Sequence, residues 1–586
     1  MANKKQQKLE LTWIGKGEEP ALEPRILIEN PEYSYGDPNT ENLLIHGDNL
    51  LALKALEQDY TGKIKCIYID PPYNTGQAFE HYDDGLEHSI WLDLMSQRFR
   101  LLRNLLTNDG TLFVQLDDNE VAYCRVILDE IFGRENFLNQ VSAKMKQTSG
   151  ASGGGEDKKL KKNIEYLLIY SKDKNHFQSF NPLYDETNLF DLIKEMRDQG
   201  KSWKYTRVIY SGLEEREYFG ETKDGSGDII KIFKHNNIVF KTIKELMKQD
   251  DLTEEECYVK YHDKVFRDTN AQSSIRTRVM EATEGNGDFF SIDYIPKSGK
   301  NKNKLTTLYY KGNNCDLIAW LSDVCIKKGK SLVKLEKAGT YWDGFPLNNL
   351  TKEGGVKFPH GKKPEALIQK VLSLATQKGD FVLDSFLGSG TTAAAAMKMG
   401  RKFIGVELGD HALTHCVPRF KKVIKNKDTA GITKAVNWEG GGGFKFYELA
   451  PSLLNKDKYD NWVISKEYNA DMLAAAMAKQ EGFRYAPDKD NYWKQGYSAE
   501  QDFIFTTTQF VTVELLDQLQ DQLQEGESLL ICAKKFQPEC HNKFKNIVLK
   551  KIPKMLLGKC EFGKDDYSLN IINPPVLTDE ELADGE

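Results

Sequence analysis

At 586 residues the chain is too long for one hydrophobic core, and ordinary domain sizes predict three or four domains. It is 40% hydrophobic and 28% charged, the make-up of a soluble globular protein, and no stretch reaches the ~20 consecutive apolar residues of a membrane span. The net charge of −7 argues against a chain devoted wholly to nucleic acid, but residues 141–340 hold 35 basic and 30 acidic side chains. That mildly basic middle suits either a phosphate-contacting surface or a solvated lysine face. The basic start, Met1 to Lys8, lacks the apolar segment of a signal peptide. Nine scattered cysteines include no C-x-x-C pair, so neither a metal site nor a disulfide framework is expected. A cytoplasmic location and no membrane partner follow from these readings.

Leu43-Leu44-Ile45-His46-Gly47-Asp48 reads as a short strand ending in a turn, and residues 49–56 continue with helical character. The β-branched run Ile64-Lys65-Cys66-Ile67-Tyr68-Ile69 stops abruptly at Asp70-Pro71-Pro72-Tyr73. Proline has no N–H to donate, fixes φ and biases the residue before it away from helix. A buried strand must therefore end there in a rigid, kinked loop at its carboxyl end, where open α/β sheets bind ligands. The loop offers a carboxylate, backbone carbonyls and one aromatic ring, a set suited to a planar, amine-bearing ring. A proline-rich turn that merely ends a strand is the plainer alternative.

A polar loop runs through Asp84, and residues 89–106 place Ile90, Leu94, Phe99, Leu101, Leu102 and Leu105 at helical spacing. Asn108-Asp109-Gly110 signals a turn, and Thr111-Leu112-Phe113-Val114-Gln115-Leu116 a strand. A helix is predicted over 121–132. Strand alternating with helix predicts a parallel, doubly wound sheet. The glycine-, serine- and lysine-rich stretch 148–162 interrupts it, and one more strand is expected at 165–170. From about 175 to 340 the periodicity is mixed and aromatic-rich. Just beyond, Trp342 and Phe345 are expected in a core rather than on a DNA-facing surface.

The alternation resumes with a helix over 364–376, Pro364 suiting its first turn. Phe381-Val382-Leu383-Asp384 is a strand, Ser385-Phe386-Leu387-Gly388-Ser389-Gly390-Thr391-Thr392 a glycine-rich turn, 393–399 a helix, and Lys402-Phe403-Ile404-Gly405-Val406-Glu407 the next strand. Strand, G-x-G turn, helix and a strand ending in an acid form a nucleotide-binding fingerprint. Gly388 and Gly390 let the backbone bend toward a ligand, and the helix from Thr391 offers free N–H groups to an anion. Glu407, 23 residues past Asp384, can accept both hydroxyls of a ribose. An acid just before the turn, Asp384, is unlike an NAD site and suits the ammonium group of S-adenosylmethionine. No Gly-Lys-Ser/Thr follows to make an ATP site. After the glycine run 440–443, helices are predicted over 472–480 and 514–524 and a strand over 528–531.

Asp70-Pro71-Pro72-Tyr73 and Phe386-Leu387-Gly388-Ser389-Gly390 together resemble the two signature motifs of DNA methyltransferases that act on exocyclic amines. Their order, with the Asp-Pro-Pro-Tyr loop first and a long insert between, resembles the permuted β class. Residues 42–48, 70–76, 81–89, 362–364 and 439–449 look like the modification (Mod) subunit of type III restriction–modification systems. The resemblance implies an adenine-specific site-specific DNA methyltransferase. Asp70 and the Pro71 carbonyl would accept the two hydrogens of an adenine N6 amine, Pro72 would fix the bend, and Tyr73 would stack on the base after flipping. Asp70 favours adenine over cytosine N4, and no Pro-Cys nucleophile for cytosine C5 chemistry occurs. S-adenosyl-L-methionine is the implied cofactor, held by Asp384, Phe386, Gly388, Gly390, Thr391 and Glu407. Lys363 and Pro364 match the family's helix near the methionine tail. Asp48 either contacts the cofactor's adenine amine or is a plain turn aspartate.

The expected architecture is an α/β, doubly wound Rossmann-like sheet built from two distant segments, with an inserted α+β target-recognition domain and a C-terminal α/β domain. The boundaries are an N-terminal arm over 1–30, the catalytic half over 31–175, target recognition over 176–344, the cofactor half over 345–430, and a C-terminal domain over 431–586. The stretch 148–162 either closes over DNA near the flipped base or simply connects. Double-stranded DNA is the implied substrate, with a homodimer and a restriction/helicase subunit as partners. A methyltransferase of cytosine N4 or of RNA amines, or a non-catalytic DNA-binding assembly subunit, stays open at this point.

Overall fold

The computed structural model describes residues 10–13, 15–17, 21–73, 88–146, 160, 162–270, 273–297, 301–358 and 361–563. The loop 74–87, and all of the stretch 148–162 except residues 160 and 162, lie outside them. The backbone divides into two units, Met1–Asn181 with Gly339–Glu586, and Pro182–Ala338. No helix among the described residues is long and apolar enough to cross a membrane.

The first unit is mixed α/β around an eleven-stranded central sheet. In chain order its main elements begin with β1 (Leu43–His46), α1 (Asn49–Tyr60), β2 (Ile64–Ile69), α2 (His88–Leu105), β3 (Leu106–Leu116) and α3 (Val121–Leu128). There follow β4 (Phe137–Lys144), β5 (Ile164–Ser171), α4 (Glu365–Ala375), β6 (Phe381–Asp384), α5 (Thr391–Lys398), β7 (Lys402–Glu407), α6 (Val417–Ile424) and β8 (Gly443–Leu449). Across the sheet the order is Leu27–Glu29, β8, β1, β7, β6, β2, β3, β5, β4 and Tyr341–Trp342, and Tyr35–Gly36 also pairs with β8. Strands β8, β1, β7, β6, β2 and β3 are parallel, whereas β5 runs antiparallel to both β3 and β4. The glycine run 440–443 thus leads into a strand of the central sheet rather than away from it.

Strand β2 is buried almost along its whole length, which is why its sequence reads as a continuous apolar run instead of an alternation. It packs in one core with Leu50 and Leu53 of α1, Trp91, Met95 and Phe99 of α2, and Leu383 of β6. From β2 the chain moves to its neighbour β3 on one side, and from β6 to its neighbour β7 on the other. The strand order therefore reverses between β6 and β2, where Val382 and Leu383 pair with Cys66 and Ile67. Such a reversal opens a crevice at the carboxyl ends of the strands.

Asn108-Asp109-Gly110 is not the turn its composition predicts. It lies inside β3, which starts directly after α2, at a place where the register jumps between the pairs Ile64–Leu106 and Cys66–Thr111. The surplus residues bulge out, tied by Thr107 donating to Asp109 at 2.8 Å and by Lys65 bonding Asp109 at 2.6 Å. Trp342 is in the core as expected, only 2% exposed, with its indole N–H donating to the Gly339 carbonyl.

The C-terminal part of this unit carries a five-stranded sheet in the order Arg484–Tyr485, Gly496–Ala499, Asp502–Val511, Ser528–Phe536 and Ile547–Lys551. Its last three strands are parallel, and the helix Val513–Gln522 connects two of them. The second unit, taken by itself, is α+β. It holds an eight-stranded antiparallel sheet and a three-stranded one, with short helices such as Ile243–Asp250 and Glu254–Lys260. Both helices start in capping boxes, Thr242 with Glu245 and Thr253 with Glu256, which satisfy first-turn N–H groups locally.

Candidate active site

Two loops leave neighbouring parallel strands side by side at the reversal, Asp70 to Tyr73 after β2 and Ser385 to Gly390 after β6. The first is held in its bend by side chains from elsewhere. The buried Trp91 indole donates to the Pro72 carbonyl at 2.7 Å, and Asn119 donates to the Tyr73 carbonyl at 3.4 Å.

Around Asp70 sits a compact polar cluster. The Tyr73 hydroxyl donates to Asp70 Oδ1 at 2.5 Å and stands 3.0 Å from Glu165 Oε2. Lys363, in the turn before α4, puts its Nζ 3.2 Å from Asp70 Oδ2, 2.9 Å from Glu165 Oε2 and 2.7 Å from the Tyr73 oxygen. Gln115 of β3 donates to Glu165 at 2.5 Å and accepts from the Tyr68 hydroxyl at 2.6 Å. The side chains of Lys363, Glu165 and Asp70 are only 9%, 13% and 18% exposed, so water does little to screen these charges. Burial, partly offset by the Lys363 ammonium and increased by the Glu165 charge, pushes Asp70 up to about 6. Burial acts against Glu165 too, but Lys363 and its hydrogen bonds hold that carboxyl below the usual range. The two carboxylates in turn hold Lys363 protonated against its burial.

In the second loop Gly388 has φ +52° and Gly390 φ +74°, a region that glycine adopts at little cost. A Cβ on Gly390 would also stand 2.9 Å from the Phe420 ring, so that position is closed to any side chain. Asp384 Oδ1 accepts the Phe386 N–H at 3.0 Å, and Glu407, ending β7, accepts N–H bonds from Gly388 at 2.6 Å and Gly409 at 3.0 Å. Burial foremost, with the Asp70 and Glu407 charges adding to it, pushes Asp384 up to about 7, and burial does the same for Glu407. Two buried carboxylates whose hydrogen bonds come mainly from backbone N–H groups, beside a glycine turn, fit a ligand bearing an ammonium group and hydroxyls.

The remaining expected residues take varied places. Phe386 is 6% exposed and packs in the core. The Thr391 hydroxyl accepts from Arg419 at 2.9 Å. Asp48 caps α1, its Oδ1 accepting the Leu51 N–H at 3.0 Å. Pro364 caps α4 through its carbonyl, 3.0 Å from the Leu367 N–H, while Lys363 beside it is turned to the Asp70 loop. Sequence reading alone did not single out Glu165, Gln115, Trp91 or Asn49. Asn49 donates to the Ser385 carbonyl at 2.7 Å and is itself held by Arg98 at 2.6 Å, which ties α1 and α2 to the glycine turn. An acid opening an otherwise apolar strand was the one available signal for Glu165.

A family profile for DNA methylases (N6_N4_Mtase) matches residues 64–417. The chain is 45% identical over 426 residues to the probable type III restriction-modification enzyme HindVI Mod subunit of Haemophilus influenzae, covering 72% of this chain and 56% of that one. It is 26% identical over 515 residues to the type III restriction-modification enzyme EcoP15I Mod subunit of Escherichia coli, covering 76% and 72%. To the type II methyltransferase M.EcaI of Enterobacter cloacae it is 33% identical over 451 residues, covering 75% and 81%. The chain thus spans little more than half the length of the HindVI relative.

Proposed function

The chain belongs to the DNA methylase family, and from that premise we propose that it methylates the N6 amine of a flipped adenine at a short asymmetric site in duplex DNA. In this reading it is the modification subunit of a type III restriction–modification system. The observation that carries the reading is the juxtaposition of the Asp70 loop and the Asp384–Glu407 turn on adjacent parallel strands where the sheet order reverses. One loop suits an amine on an aromatic ring, and the other suits a nucleoside with an ammonium group.

S-adenosyl-L-methionine, when bound, supplies an activated methyl group. Glu407 has lone pairs left for ribose hydroxyls beyond its backbone bonds, and Asp384 faces the ammonium position. Gly388 keeps the backbone low enough for close approach, and Gly390 lets the turn close against Phe420. Asp70 and the Pro71 carbonyl accept the amine's two hydrogens, which turns the nitrogen lone pair out of the ring's conjugation and toward the methyl donor. Tyr73 stacks on the base, and the rigid bend fixed by Pro72 and Trp91 supplies the in-line alignment. The unit Pro182–Ala338 serves target recognition, and the C-terminal sheet serves dimerisation or contact with a restriction/helicase subunit. The strand order supports reading the sheet as doubly wound and assembled from the two flanking segments.

Incubation with labelled S-adenosylmethionine tests the reading. Label enters duplex DNA in preference to RNA in a competition assay; label in RNA only, or in neither, refutes it. A second result follows from the two raised carboxyls. Both Asp384 and Glu407 stand near 7 and must lose a proton to serve as acceptors. Cofactor affinity is therefore full above that pH and falls as pH drops through it, by about tenfold per unit for each group that must ionise. Titration calorimetry at several pH values measures this, and an affinity flat across that range contradicts the assignment.

A further inference from the structure

The proposed methyl transfer uses Asp70, Pro71 and Tyr73, yet a second carboxylate and an ammonium are buried against them. Burying charge is costly unless the groups are paired and well bonded. Here the pairing is lopsided, since one ammonium serves two carboxylates: Lys363 Nζ is 3.2 Å from Asp70 and 2.9 Å from Glu165. The Tyr73 hydroxyl has a single proton and two acceptors, Asp70 Oδ1 at 2.5 Å and Glu165 Oε2 at 3.0 Å. Tyr73 thus bonds Asp70 Oδ1 while Lys363 pairs with Oδ2, so both carboxylate oxygens already have a partner.

We propose that Glu165 and Lys363 are positioning residues of methyl transfer: Lys363 gives the Asp70 carboxylate its counter-charge, and Glu165 offers the Tyr73 hydroxyl a second acceptor when the amine takes its place on Asp70. The inference rests on the methyltransferase reading above. Tyr73 turns from one acceptor to the other with no hydrogen bond lost, so the empty site stays satisfied and the occupied one does too. Gln115, bonded to Glu165 at 2.5 Å, keeps that acceptor in reach. The charged and titratable groups facing Asp70 are Lys363, Glu165 from β5, Tyr73 from its own loop, Tyr68 from β2 and Asp384 from the end of β6. Of these, Lys363 lowers the Asp70 pKa and Glu165 raises it, so removing them has opposite effects.

The test is the pH profile of single-turnover methyl transfer at saturating cofactor and duplex DNA. The wild-type rate falls as pH drops through about 6, where Asp70 takes up its proton. Glu165→Gln removes a like charge and moves that acid limb down by about one unit. Lys363→Met removes the counter-charge and moves it up by about 1–3 units. Lys363→Arg, which keeps the charge, restores the limb to near its wild-type position. A merely structural role would lower the rate without moving the limb in opposite directions. Limbs that stay in place, or that both move the same way, overturn the inference. If Lys363→Met does not fold, the direction of the near-isosteric Glu165→Gln decides alone. A wild-type chain that moves no methyl to DNA sinks the methyltransferase reading instead, so the two failures are distinguishable.

Discussion

Asp70→Ala is expected to lower single-turnover methyl transfer by about 10³-fold or more while leaving cofactor affinity within about twofold. The size follows from what the carboxylate does. An adenine amine shares its lone pair with the ring and is a poor nucleophile until an acceptor on each hydrogen localises that pair. In the proposed mechanism Asp70 is the charged acceptor of the two, in a site where burial and a bonded ammonium make its field strong. The proposed cofactor turn keeps its own backbone bonds at Asp384 and Glu407 without it, and above the pH at which Asp384 ionises the loss of the Asp70 charge leaves affinity unchanged. Label transferred at the wild-type rate by Asp70→Ala would falsify the assigned role.

The second large effect is on stability. Glu365 opens α4 fully buried and accepts from Lys398 at 2.8 Å, from Arg419 at 2.8 Å and from the Ile432 N–H at 3.1 Å. Lys398 also meets Asp428 at 2.6 Å, and Arg419 reaches the Ser389 carbonyl at 3.0 Å and the Thr391 hydroxyl. Glu365→Leu strands part of two buried cations, and a broken buried pair costs about 3–5 kcal/mol. For a unit of this size that lowers the melting temperature by roughly 3–6 °C. Because Arg419 also holds the glycine turn from beneath, cofactor affinity falls with it. Thermal unfolding of Glu365→Leu at the wild-type temperature would show that the network is dispensable.

How much of this the sequence could tell varies with the range of the interaction. The strand ending at Ile69 and the kink at Asp70 were legible, since a β-branched run and two prolines act locally. The turn at Gly388 and Gly390 and the acid at Glu407 were legible for the same reason. The adjacency of β2 and β6 is not local, for more than 300 residues separate them, and only the resemblance of the paired motifs pointed to it. Glu165 escaped notice because its partner Lys363 is 198 residues away and nothing in its own strand announces the pairing. Asn108-Asp109-Gly110 misled because turn chemistry is equally at home in a bulge, where the surplus residues leave the ladder. The eight-stranded sheet of Pro182–Ala338 escaped a clear reading because strands such as Arg216–Lys223 bury no residue and so lose the apolar alternation.

The most direct measurement is a base-resolution map of methylation in DNA from a methylation-free host that expresses the chain, read by single-molecule sequencing. N6-methyladenine is expected at one short, asymmetric, recurrent sequence, and unmodified DNA when Asp70→Ala is expressed instead. Methylated cytosines, or adenines marked at no common sequence, would contradict that expectation.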